Sequence, residues 1–136
     1  MVYIRFYYIF VFDINFIIED MIPKELVKGS LKSIVLKLLS ESSRMYGYEI
    51  TQKVSELSEG KIKLTYGALY PILHKLEKEG AVTTESVVVN NRNRIYYKLT
   101  EKGTNSAIER IKELEEYLQT IKILLNPQIG FESCVC

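Results

Sequence analysis

From Lys24 the spacing of apolar residues is helical as far as Glu79, strand-like from Ala81 to Leu99, and helical again after Thr100, which confines this part of the chain to helices packed around a small β-ribbon. From Lys24 to Leu39, Leu26, Val27, Leu31, Ile34, Val35, Leu38 and Leu39 recur on one stripe, with Lys28, Lys32 and Lys37 away from it. Pro23 suits the first turn of such a helix, where a missing N–H costs little. A second helix is predicted from Gly47 to Leu57, with Ile50, Val54 and Leu57 inward and Ser58-Glu59-Gly60 ending it. The third, Thr65 to Glu79, sets Leu69, Ile72, Leu73 and Leu76 inward. Tyr66, Tyr70, His74, Lys75 and Lys78 fall on its other sides. Thr65 is its expected N-cap, and Pro71 predicts a kink, with Gly67 leaving room beside the ring.

After Gly80, Ala81 to Val89 is β-branched and polar, Asn90-Asn91-Arg92-Asn93 reads as a polar turn, and Arg94 to Leu99 returns. Asn tolerates positive φ, so a two-stranded hairpin with a basic tip is expected. Two strands alone are marginal in water and must lean on the helices. Thr100 caps a last helix reaching Leu125, in which Ala107, Ile111, Leu114, Leu118, Ile121 and Leu125 alternate spacings of four and three, a heptad seam. Asn126-Pro127 stops it, and residues 128–136 read as a flexible tail.

The 136 residues are 47% apolar and 26% charged, ordinary for one globular domain, and the formal charge of +1 by itself argues for no nucleic-acid partner. The distribution does argue for one. Pro23 to Gly103 carries a net +5, while residues 1–22 carry −2 and the rest is slightly acidic. The only cysteines, Cys134 and Cys136, offer neither a stapled loop nor a four-ligand zinc set and fit a reducing cytoplasm. His74, the sole histidine, lacks neighbours at ligand spacing, so no metal and no cofactor is expected. No Ser-His-Asp, Cys-His, paired-carboxylate or glycine-rich phosphate arrangement suggests an enzyme.

Residues 1–22 are aromatic and β-branched but broken by Arg5, Asp13, Asn15 and Glu19-Asp20. The longest clean run, Phe6 to Phe12, is far shorter than the roughly 20 residues of a spanning helix, and no small-residue cleavage site follows. The residues before Met21 are read as an extension upstream of a start there, ahead of a peripheral membrane-binding or strand-forming segment and of a translocated signal. Stable membrane insertion is not expected.

Helix, helix, helix and hairpin in this order describe a winged helix, a mainly α fold with a small β-hairpin and here an added C-terminal dimerisation helix. Residues 23–103 would form the DNA-binding domain and residues 104–127 the dimerisation helix. Such a module needs polar and basic groups on its third helix, to enter a major groove, and at its wing tip, to meet phosphates or a minor groove. Lys63, Thr65, Tyr66, Tyr70, His74, Lys75, Asn91, Arg92 and Arg94 are the candidates. Tyr66 and Tyr70 serve equally as packing residues with wet hydroxyls, and either arginine as decoration of a solvated turn.

Three blocks resemble the PadR family of transcriptional regulators. Met45-Tyr46-Gly47-Tyr48-Glu49-Ile50 is similar to the family's second-helix entry, and residues 66–77 (YGALYPILHKLE) to its recognition helix. Residues 94–103 (RIYYKLTEKG) are similar to its returning wing strand and the start of the last helix. The family's wing turn usually carries Gly, which Asn90-Asn91-Arg92-Asn93 lacks. The resemblance implies a homodimeric repressor on two-fold symmetric double-stranded DNA, released by a small molecule or stress signal. It tolerates Pro71, packs the last helix on the partner's first helix, and places a small aromatic or amphipathic effector in the dimer cleft between first and last helices. The single last helix resembles the family's shorter branch. A winged-helix module that binds an acidic protein instead of DNA is the alternative.

Overall fold

The computed structural model describes residues 21–128. The readings made of residues 1–20 and, Gln128 apart, of the tail lie outside them. In chain order the elements are α1 (Lys24–Ser40), β1 (Met45–Tyr46), α2 (Gly47–Leu57), α3 (Tyr66–Lys78), β2 (Val82–Val89), β3 (Arg92–Leu99) and α4 (Glu101–Leu125). They form a winged helix-turn-helix with a long last helix. The sheet is antiparallel with order β1-β3-β2. It has three strands where the sequence predicted two, because Met45 and Tyr46 pair with Tyr97 and Tyr96. Two residues are too short a run to show any alternation, yet they cover the inner edge of the hairpin and bind it to the entry of α2.

One core serves all elements. Leu31, Val35, Leu36 and Leu39 of α1 meet Ile50 and Val54 of α2, Leu69, Leu73 and Leu76 of α3, and Val82 and Tyr97 of the sheet. Each fully buried leucine contributes about 2 kcal/mol of transfer free energy. The predicted stripe of α1 needs two corrections. Leu36, assigned to no face, is completely buried, whereas Leu26 is 68% exposed. The middle of α1 is enclosed on several sides, by α2, α3, α4 and β3, so a single stripe underestimates it. Leu57, predicted inward, is 63% exposed at the last residue of α2. Pro23 stands at the N-cap, one position before the first turn.

α3 is an unbroken helix through Pro71. Gly67 is not what makes room for the ring, because a Cβ there would meet only Thr65 Oγ1, at 4.0 Å. Thr65 caps as predicted, its hydroxyl accepting from Ala68 N at 3.3 Å. At the far end Lys32 Nζ lies 2.7 Å from Glu79 Oε2, joining α1 to the end of α3 and holding the Glu79 carboxyl below its usual range.

The wing turn is tighter than its polar sequence suggested. Val89 pairs with Arg92, leaving Asn90 and Asn91 as a two-residue loop, both at positive φ (52° and 60°). That is the backbone of a type I′ hairpin turn, which suits the right-handed twist of the strands, and Asn is one of the few residues with a side chain that enters this region readily. Arg92 and Asn93, assigned to the turn from sequence, therefore belong to β3.

Candidate nucleic-acid interface

The inner face of α3 is fixed by Leu69, Leu73 and Leu76, all at 0% exposure, so its outer residues are held at fixed angles around the helix. Tyr66 is 50% and Tyr70 38% exposed, with ring centroids 5.8 Å apart, and His74 continues the row 6.3 Å from Tyr70. A Cβ on Gly47 would lie 2.8 Å from the Tyr70 hydroxyl. The glycine that opens α2 thus lets Tyr70 lean against it, combining the packing role with an accessible ring edge. Glu77 accepts from the Thr84 hydroxyl at 3.1 Å and stands 3.9 Å from His74 Nδ1, tying α3 to β2.

Across from α3 the wing presents a ladder of cations and rings. The Arg94 guanidinium lies 4.2 Å from the centre of the Tyr46 ring and donates a long bond, 3.5 Å, to the Tyr96 hydroxyl, which holds its pKa above the ordinary value. The Arg44 guanidinium lies 4.4 Å from the centre of the Tyr96 ring and pairs with Glu85 at 2.6 Å. Tyr46 meets Tyr96 edge to face at 5.4 Å and stacks with Tyr48 at 6.2 Å. Stacking of this kind fixes a guanidinium while leaving its N–H edge available to a further acceptor. Burial pushes the Tyr97 phenol up, and it stays neutral in the core.

Between ladder and helix runs an open groove of about 590 Å³. Tyr66, Tyr70, Arg92 and Arg94 come together on its walls, joined by Tyr46, Tyr48, Asn90 and Asn93, and no carboxylate lines it. The other candidates are placed differently. Lys75 is exposed on α3, and Asn91 is at the wing tip, outside the groove lining. Lys63 and Thr65 line a separate cavity beside the start of α3. Among the described residues, Lys63, Lys75, Lys78 and Arg92 form no ion pair, in contrast to Lys32, Lys37, Arg44 and Lys53. Among the described residues, unpaired cations thus stand on α3, before its start and on the wing, and also on α1 at Lys24 and Lys28.

Sequence reasoning missed Arg44, Tyr46 and Tyr48 as parts of this surface. Their signal was present, in a cation and two tyrosines within the five residues that straddle the entry of α2. What they stack against depends on the three-stranded sheet.

Of the seam residues, Ala107 is buried in the chain's own core and Ile111 packs against it. Leu114 and Ile121 are half-buried, while Leu118 is 57% and Leu125 82% exposed. No helix among the described residues is long and apolar enough to cross a membrane, and none of their His, Cys, Asp and Glu side chains group as a metal site.

Residues 35–109 match the transcriptional regulator PadR-like family. The chain belongs to that family. An uncharacterized protein of Lysinibacillus sphaericus is 30% identical over 107 residues, 78% of this PadR-like chain and 97% of its own length. A transcriptional regulator of Mycobacterium tuberculosis is 34% identical over 79 residues, 58% of this chain and 71% of that one. The crystal structure of a PadR family transcriptional regulator from Eggerthella lenta superposes with a TM-score of 0.65 at 26% identity, covering 75% of this chain and 87% of the other. The family match spans the end of the PadR-like core helix α1, the helix-turn-helix, the wing and the start of α4, so the groove lies wholly inside it.

Proposed function

We propose that this PadR-like regulator is a cytoplasmic, homodimeric repressor of transcription that binds a two-fold symmetric operator and is released by a small molecule or stress signal. α3 enters a major groove, where Tyr66, Tyr70, His74 and Lys75 meet base edges, while Arg92, Arg94 and Asn91 of the wing meet the flanking backbone, and Lys63 and Thr65 the backbone at the start of the helix. The observation that carries the reading is the groove between α3 and the wing: it holds two arginines, amide side chains and tyrosine edges, and no acid. A partner with a regular array of phosphates matches that chemistry. Dimerisation is supported by the exposed apolar residues in the last turns of α4, which continue the seam after Ala107 and Ile111 have been used within the chain.

The test separates positioning from reading. With an operator fragment selected from the native genome, Arg92→Ala together with Arg94→Ala is expected to weaken binding to all sequences similarly. It should lower the slope of log affinity against log salt by about 2, one for each phosphate that is no longer neutralised. Tyr70→Phe or Lys75→Ala is expected to change preference between sequences while leaving most of that slope. Equal effects of both sets in fluorescence-anisotropy titrations would contradict the assignment.

A further inference from the structure

We infer that the cavity between the start of α1 and the first turn of α3 is a binding site for a medium-chain aliphatic carboxylate, and that its occupancy weakens the hold of α3 on DNA. The second half rests on the DNA-binding reading above; the first does not. The cavity measures about 430 Å³, within the range of about 300–1,000 Å³ typical of small-molecule sites. Val27 and Leu31 of α1, Ile62 and Leu64 of the loop, and Pro71 and Ile72 of α3 form its walls, and no aromatic ring lines it. Such walls suit a flexible alkyl chain better than a stacked ring.

The charge at the cavity is of one sign, and Thr65 adds a hydroxyl. Lys24, Lys28 and Lys63 are the charged side chains lining the cavity, no carboxylate joins them, and among the described residues none of the three forms an ion pair. Lysine lays its alkyl stem along apolar surface and keeps its ammonium at the edge, so an apolar tail inside and an anionic head at the mouth satisfy both halves of the site. The space exists because α3 turns small groups toward it. Gly67 and Ala68 line the cavity, and a Cβ at Gly67 would meet only Thr65 Oγ1 at 4.0 Å. On its other face the same helix buries Leu69, Leu73 and Leu76 completely.

The coupling follows from position. One wall of the cavity is the first turn of the helix proposed to read DNA, and Lys63 is a proposed phosphate contact. A carboxylate at the mouth neutralises Lys63, and an alkyl chain in the cavity biases how α3 sits against α1. By reciprocity DNA and ligand then oppose each other, by about tenfold for a coupling of ordinary size.

Decanoate is the probe, titrated calorimetrically into the full chain below its micelle concentration. Saturable binding of one decanoate per chain is expected, with decylammonium and acetate not binding. Gly67→Leu, which fills the cavity, should abolish binding while leaving the melting midpoint near wild type. Lys24→Glu with Lys28→Glu, both on the surface of α1, should weaken it at least tenfold and serves as the test if Gly67→Leu fails to fold. Equal binding of decanoate and decylammonium, indifference to the lysine pair, or no saturable binding overturns the site. Anisotropy with operator DNA then reads the coupling: about tenfold weaker DNA binding in saturating decanoate supports it, and unchanged affinity overturns the regulatory half while the calorimetry still judges the site. A chain that binds decanoate but no DNA contradicts the proposed function, not the cavity.

Discussion

Gly103→Ala is expected to destabilise the fold by about 3 kcal/mol or more, the upper end of what overpacking costs. Gly103 is buried in the first turn of α4, and a Cβ there would lie 1.8 Å from the carbonyl oxygen of Ala81 and 2.8 Å from its carbonyl carbon. No flexible side chain can yield, because the obstacle is backbone held from both ends. Ala81 O accepts from Thr100 N at 3.0 Å, and the Thr100 hydroxyl donates to Gly80 O at 2.6 Å while accepting from Gly103 N at 3.0 Å. The start of α4 and the link from α3 to β2 thus form one interlocked unit. In a domain of this size the loss corresponds to a fall in melting temperature of more than about 10 °C. Gly29→Ala is the control: it lies in α1, meets nothing within 4 Å, and should stabilise by about 0.5–1 kcal/mol through helix propensity. A Gly103→Ala protein that melts within a few degrees of wild type would show that the interlock is looser than described.

Leu118→Glu combined with Ile121→Glu is expected to convert the proposed dimer into a folded monomer and to cost about a hundredfold or more in operator affinity, since the second half-site is no longer tethered to the first. α4 has 25 residues and spans about 37 Å, more than the body of the domain can cover. Its packing on the core comes from Gly103, Ala107 and Ile111, whereas Tyr117, Leu118, Leu124 and Leu125 are 57–82% exposed. Neither substituted residue belongs to the core cluster, so the monomer should keep its secondary structure and most of its melting temperature. Sedimentation velocity reads the change directly. A double variant that still sediments as wild type would place the subunit contact elsewhere or remove it.

Most of the fold was legible because α1, α2, α3 and α4 each carry enough turns for their period to show, and because Thr65 and Thr100 mark two starts with side chains that do cap. What escaped had a common cause: it was decided by partners distant in sequence. Leu36 is buried because several elements surround α1, and β1 exists because β3 passes beside Met45 and Tyr46. The four-residue turn shrank to Asn90-Asn91 because the pairing of Val88 and Val89 with Asn93 and Arg92 outweighs the polar character of those residues. The candidate interface was legible as a set of residue types, since α3 and the wing were both recognised. Its shape was not. Tyr66, Tyr70, Arg92 and Arg94 share a groove, Lys63 and Thr65 open onto a different cavity, and the Arg44 and Arg94 ladder needs the third strand.

How the chain meets DNA is the decisive measurement. Footprinting and sedimentation of wild-type protein on the fragment it selects from its native genome should give two chains per duplex and protected half-sites about one helical turn apart. Affinity should fall steeply between about 50 and 200 mM salt. A single chain per fragment, or equal affinity for unrelated sequence with little salt dependence, would contradict it.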